Sequence, residues 1–327
     1  MAEIKWAPHI HDSETTSRIM WSVIISLLPA LAGSVWFFGP AVLKIVLVCI
    51  VSCVISEILS QRVFGKTIKV YDGSAVVTGM LLAFVLPPAT PLWMAAVGGF
   101  LAIFLAKELF GGLGHNIFNP ALTARAILTA SFPLEMTQFT APFSYRIDAV
   151  STATPLGIIK ESLDTQLPSL FDMLIGNRSG CIGETCTLLL LLGGIFLLLR
   201  RIITWHIPVS YVLTVAFLSA LTEQAPLFQI MAGGLILGAF FMATDYATSP
   251  LTGRGKLIFG AGCGIITFLI RLKGSYPEGV AYSILIMNMF VPFIDKYTLP
   301  KKFGLSHSRD FSRLRRFSPK NPGGVNK

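Results

Sequence analysis

Apolar residues run through this chain in long blocks, and the polar residues fall between them. Ten blocks approach the roughly 20 consecutive apolar residues that a membrane-spanning helix needs. They lie near 19–38, 41–59, 74–90, 92–109, 117–133, 185–200, 205–222, 227–244, 256–271 and 280–296. The third, fifth and eighth are short, carry glycine or border polar stretches. Interrupted helices are tolerated where protein or water satisfies the freed backbone, so these three are expected to line a binding site. The pattern predicts an all-α integral membrane protein of about ten transmembrane helices.

Lysine and arginine in short loops set the orientation. Arg62, Lys66 and Lys69 place the 60–73 loop on the cytoplasmic side, and the turns at 38–41 and 86–92, which carry no basic residue, outside. Arg200, Arg201, Arg254, Lys256 and the basic tail then fall inside if the N-terminus is cytoplasmic. Arg271 and Lys273 are the exception and would lie outside. The longest hydrophilic stretch separates two groups of five helices, and an odd number reverses the second group, as in inverted-topology repeats. The expected organisation is a cytoplasmic N-terminus (1–18), a first five-helix half (19–133), an external loop (134–184), a second five-helix half (185–296) and a basic cytoplasmic tail (297–327). A faint echo links FNPAL at 118–122 with ATSPL at 247–251.

Composition agrees with the pattern. Of 327 residues, 53% are hydrophobic and only 13% charged, about half the charge of an ordinary soluble domain. Mean hydropathy is +0.69. Much of the formal net charge of +9 sits in the tail, where eight basic residues face one acid, Asp310. A juxtamembrane basic tail reads as a contact with anionic lipid rather than with nucleic acid. No cleavable signal peptide is expected, since the first eighteen residues are polar and of mixed charge. Cys49, Cys53 and Cys263 sit in apolar runs as small hydrophobes, and the C-x4-C pair Cys181/Cys186 has no second pair or histidine cluster to complete a metal set.

Ionisable groups at membrane borders are functional candidates by default. Asp72 and Asp245 are candidates for an ion path, with the capping of helix ends as the plain alternative. Glu108 ranks lower, because Lys107 stands beside it. Asn116 and Asn119 could contact a bound cofactor or line an ion path, or they could satisfy backbone freed by Pro120. Glu57 and Glu223 close apolar runs and are read as solvated. GGLG at 111–114 does not complete a dinucleotide fingerprint, and GGLILG at 233–238 reads as close helix packing.

The external stretch DAVSTATPLG (148–157) offers hydroxyls at Ser151, Thr152 and Thr154. Pro155 biases Thr154 toward extended geometry, where an exposed hydroxyl is reachable by a modifying enzyme. From the residues alone, the stretch is equally a Ser/Thr turn capped by Asp148.

With four further stretches, at 71–88, 107–126, 176–185 and 242–250, this D-x-x-S-x-A-T pattern resembles the NqrB/RnfD family of the Nqr and Rnf complexes. The resemblance covers nearly the whole membrane part. It implies FMN joined through its phosphate to Thr154, with Asp148, Ser151 and Ala153 at the other motif positions. Many family members have glycine where Thr152 stands, so Thr152 is the alternative attachment point. Pro155, Leu156 and the compact N-terminal region resemble the Rnf branch. That branch implies a subunit of an Na+- or H+-translocating ferredoxin:NAD oxidoreductase. It further implies the A, B, C, E and G subunits as partners, an ApbE-type flavin transferase, and a second, non-covalent riboflavin. The rivals are an Nqr-type subunit passing electrons toward quinone and a transporter without redox chemistry.

Overall fold

The computed structural model describes residues 15–68, 70–144, 151–161, 167–274 and 278–300. Asp148, the N-terminal segment and the basic tail lie outside the described residues, as does the side chain of Ser151. Nearly all the regular structure of the described chain is helical.

The first two apolar runs form α1 (Thr16–Phe38) and α2 (Ala41–Val63). Thr15 caps α1, its hydroxyl accepting from Arg18 N at 3.3 Å. Both helices turn the usual amphipathic rule inside out. On α2, Leu43, Leu47, Val51, Ile55 and Leu59 recur every fourth residue and are exposed. Cys49, Cys53, Glu57 and Gln61 recur at the same spacing on the opposite face and are buried. An apolar stripe turned outward, with the polar groups inward, is what a lipid environment selects. By length and composition α1, α2 and α13 (Gly253–Lys273) can each cross a membrane.

The remaining elements are shorter. α3 (Ser74–Phe84) is followed by a Pro-rich stretch of turns, in which Thr90 N donates to Pro87 O at 3.1 Å. α4 (Leu92–Ile103) runs into a π-helical turn, Phe104–Glu108, and α5 (Pro120–Ser131) begins at Asn119. After α6 (Pro133–Thr137) come two short antiparallel strands, β1 (Phe139–Thr140) and β2 (Ser151–Thr152), with Phe139 opposite Thr152. Two short helices, α7 (Pro155–Lys160) and α8 (Leu170–Ile175), complete that region. The second group is α9 (Thr187–Leu199), α10 (His206–Leu221), α11 (Pro226–Met231), α12 (Leu235–Leu237) with its π-helical turn Gly238–Met242, α13, and α14 (Val280–Thr298).

The packing repeats itself. α2 packs on α4 as α10 packs on α13, and α4 meets α5 as α13 meets α14. α3 touches α5 as the second π-helical turn touches α14, while α1 lies against α9. Polar side chains hold the second group: Tyr211 OH lies 2.6 Å from Thr267 Oγ1 and 2.9 Å from Ser283 Oγ, tying α10, α13 and α14.

The α1–α9 contact depends on Gly193. A Cβ there would come within 2.1 Å of the Ser26 carbonyl oxygen. Backbone cannot yield as a flexible side chain can, so the helices must part. Gly193→Leu is expected to cost at least the ~1–3 kcal/mol typical of overpacking. Thermal unfolding of the purified protein should show a lower midpoint for Gly193→Ala than for wild type, and a lower one again for Gly193→Leu.

Two stretches depart from the sequence reading. GNRSGCIGETC (176–186) reads as part of an external loop but dips into the bundle, where Cys181 and Ile182 are fully buried. Ile182 N donates to Leu86 O at 3.0 Å and Gly183 N to Phe84 O at 2.8 Å. The loop thereby satisfies carbonyls that the short α3 leaves open. GGLILG reads as helix packing, but Gly233 and Gly234 break the helix instead, with φ of +61° and +66°. Any Cβ at Gly234 would also lie 2.6 Å from Glu184 Oε1.

Candidate functional site

Thr154 links β2 to α7. Its φ of −67° and ψ of 157° are the extended geometry that Pro155 imposes. Its hydroxyl caps α7, accepting from Gly157 N at 3.2 Å. Among the described residues this hydroxyl donates to no acceptor. Thr152 differs: its Oγ1 is 2.5 Å from Ser179 Oγ. The expectation of an exposed hydroxyl at Thr154 is corrected, for the residue is only 6% exposed. The capping bond draws it under the first turn of α7, where Leu156 packs with Met173, Phe228 and Ala232.

Beneath this segment lies a buried cluster of arginines. Arg271 donates to the carbonyls of Gln229 (2.6 Å), Ala232 (2.9 Å) and Glu278 (3.1 Å). Arg178 donates to Met231 O and Glu184 O. The two guanidiniums thus satisfy the carbonyls freed where α11 ends. Leu156 Cδ1 and Arg271 Nη2 both crowd Gly233, at 2.6 and 3.0 Å from where its Cβ would stand. Arg125 pairs with Glu278, and with Glu184 at 3.6 Å. Burial, with Glu278 beside it, raises the Glu184 carboxyl above the usual carboxylate range. Cys181, Glu184 and Glu278 bring their ligand atoms within 4.8 Å of one another. Arg125 already holds both carboxylates, so a metal ion would meet a guanidinium in its place. The placement accounts for one of the two exceptions in the loop charges: Arg271 is a buried structural cation, whereas Lys273 is exposed.

The other sequence-predicted residues gather at the opposite end, near Thr16. Asn116, Asn119 and Asp245 line one cavity of about 90 Å³ together with Ser74 and Lys107. Asp245 accepts from Thr248 Oγ1 at 3.2 Å and is bonded by the Asn116 side chain. Asn119 caps α5 through Leu122 N (3.2 Å) and donates to Met242 O (3.3 Å). Asn288 of α14, with its amide turned to suit, accepts from Asn119 N and donates to Thr248 O. FNPAL and ATSPL therefore meet through one amide. Asp72 lines a second cavity of about 450 Å³ with Glu57, Gln61, Lys66 and Glu108. Its Oδ1 accepts from Ser74 N (2.9 Å) and Ser74 Oγ (2.7 Å).

Two expectations fail here. Glu57 is not solvated: it is 1% exposed and pairs with Lys107, itself 2% exposed. Glu108 takes Lys66 (2.9 Å) as its partner rather than the adjacent Lys107. The π-helical turn at Phe104–Glu108 turns these two neighbours in different directions. An acid inside an otherwise apolar run is the available signal for Glu57.

Outward apolar stripes, broken helices and buried ion pairs define an integral membrane protein of the all-α class. The chain belongs to the NQR2, RnfD, RnfE family, which it matches over residues 3–304. It is 47% identical over 302 residues to the D subunit of the Na+-translocating ferredoxin:NAD+ oxidoreductase complex of Acetobacterium woodii, covering 92% of this chain and 94% of that protein. It is 46% identical to the D subunit of the proton-translocating ferredoxin:NAD+ oxidoreductase complex of Clostridium ljungdahlii, covering 92% and 96%. It is 39% identical to the D subunit of the ion-translocating oxidoreductase complex of Cellvibrio japonicus, covering 91% and 94%.

Proposed function

We propose that this chain is an electron-carrying membrane subunit of an ion-translocating ferredoxin:NAD+ oxidoreductase complex, with FMN joined to Thr154 by a phosphoester. The observation that carries the reading is an intact attachment stretch with an uncommitted hydroxyl. Thr154 Oγ1 accepts one N–H and donates to nothing among the described residues, so replacing its proton by a phosphoryl group breaks no bond. When bound, FMN supplies one- and two-electron transfer, while the chain supplies attachment and position. A tether also keeps the cofactor at high effective concentration.

Because Thr154 is buried, attachment by an ApbE-type flavin transferase requires α7 to be lifted or not yet packed. The repeating pattern of helix contacts supports ten crossings in two five-helix halves of opposite orientation. In that arrangement both termini are cytoplasmic and Thr154 faces outside. Asn116 and Asn119, which line one cavity with Ser74, Lys107 and Asp245, are the candidate contacts of the implied riboflavin. The coupling ion is Na+ or H+, and the A, B, C, E and G subunits complete the complex in the bacterial cytoplasmic membrane.

The test is peptide mass spectrometry of the chain purified from cells with an active flavin transferase. An FMN increment on the peptide holding Thr154 is expected. An unmodified peptide would move the reading to transport without redox chemistry.

A further inference from the structure

The Thr154 segment rests on the same stretch of backbone that the buried arginines hold. Leu156, two residues beyond Thr154, packs with Phe228 and Ala232 at the end of α11. Arg271 donates to the Ala232 carbonyl at 2.9 Å, and Arg178 donates to that of Met231. Leu156 Cδ1 and Arg271 Nη2 also crowd one point beside Gly233. The attachment segment and the Arg271 guanidinium are thus neighbours.

The cluster carries a charge that its own residues do not cancel. Arg125 pairs with Glu278 and, at 3.6 Å, with Glu184. Arg178 and Arg271 take carbonyls instead, and among the described residues neither forms an ion pair with a carboxylate. Both are buried. Carbonyls solvate a guanidinium without neutralising it. Three guanidiniums against two carboxylates leave one positive charge in excess, and a buried charge without a counter-charge is costly.

A phosphate joined both to Thr154 and to a flavin is a diester, with one ionisable oxygen and a single negative charge at neutral pH. We propose that the arginine cluster is the counter-charge of that diester, with Arg178 and Arg271 as its positioning residues. Attachment then completes the charge balance of this end of the bundle. The interaction acts through space across a low-dielectric interior and needs no direct bond. Before attachment the cluster lacks its anion, so the break at Gly233 and Gly234 opens more readily. Leu156 packs on that break, so the same opening frees α7. The fold is loosest at Thr154 before the hydroxyl is modified and tightens afterwards.

The inference rests on the proposed attachment at Thr154, and the test separates the two. The intact complex is purified with Thr154 or Thr154→Ala in the wild-type, Arg125→Gln, Arg125→Lys and Glu278→Gln backgrounds. In-gel fluorescence scores flavin on this chain, and hydrogen exchange across 229–236 reads the break that the arginines hold. In wild type, loss of flavin should speed that exchange about tenfold, the effect of two unit charges roughly 10 Å apart at an effective dielectric of ~20. Glu278→Gln raises the excess and should enlarge the factor. Arg125→Gln removes the excess and should nearly abolish it, whereas Arg125→Lys keeps the charge and should preserve it. The helix cap lost in Thr154→Ala is common to every background and drops out of the comparison. Should Arg125→Gln fail to fold, Glu278→Gln decides alone, since its side chain lies at the rim of the cluster, 13% exposed. A factor that is the same in all backgrounds would overturn the inference and leave the attachment standing. Absence of flavin from the Thr154 chain would overturn both.

Discussion

Thr154→Ala is expected to abolish covalent flavin on this chain, whereas Thr152→Ala is expected to retain it in full. The two hydroxyls are two residues apart and differ in what they hold. Thr152 Oγ1 is bonded to Ser179, while Thr154 Oγ1 accepts from Gly157 N and donates to nothing among the described residues. Loss of the cap at Thr154 costs about 1 kcal/mol, too little to unfold the bundle, so missing flavin would not be a folding artefact. Thr154→Ser keeps both cap and hydroxyl and should retain attachment. In-gel flavin fluorescence with peptide mass spectrometry decides the matter. Flavin surviving on Thr154→Ala would place the attachment elsewhere, with Thr152 first in line.

The second large effect is expected at Arg271. Replacing it by Met removes the donors to three carbonyls, of Gln229, Ala232 and Glu278. A buried acceptor left unsatisfied costs about 1–3 kcal/mol, so Arg271→Met should destabilise the protein by more than about 3 kcal/mol. The damage should be local before it is global. Hydrogen exchange should rise first across 229–236, where Gly233 and Gly234 interrupt the helix. Arg271→Lys should recover only part of the loss, because one ammonium cannot fork across carbonyls as a guanidinium does. Unchanged exchange in that segment would show that the break is held by something other than Arg271.

The contrast between Arg271 and Arg62 illustrates how far the sequence can be read. Apolar runs announce where helices form, and every predicted block holds helix. They do not announce where a helix breaks, because Gly233 and Gly234 read equally as a packing face or a kink. GNRSGCIGETC is polar and so reads as an outside loop. Its burial depends on α3 being too short, which is a long-range fact. Glu57 misleads for the same reason, since its partner Lys107 lies fifty residues away, in the π-helical turn that follows α4. Pro155 acts on its immediate neighbour, so the extended backbone of Thr154 is legible, while its burial under α7 is not.

The two buried clusters carry opposite formal excess among the described residues. Arg125, Arg178 and Arg271 outnumber Glu184 and Glu278 beneath the Thr154 segment, and Glu57, Asp72 and Glu108 outnumber Lys66 and Lys107 at the other end. Thr16 borders the second cluster, and Phe37 packs beside Gly176 near the first. The clusters are therefore separated by about the length of α1, roughly 35 Å for its 23 residues. Fixed charges at that spacing set up a local field between the two clusters, and low-dielectric surroundings screen it little. An added negative charge is drawn to one pole and a small cation to the other, so the fold is wired like a battery holder, with its terminals marked before anything is inserted.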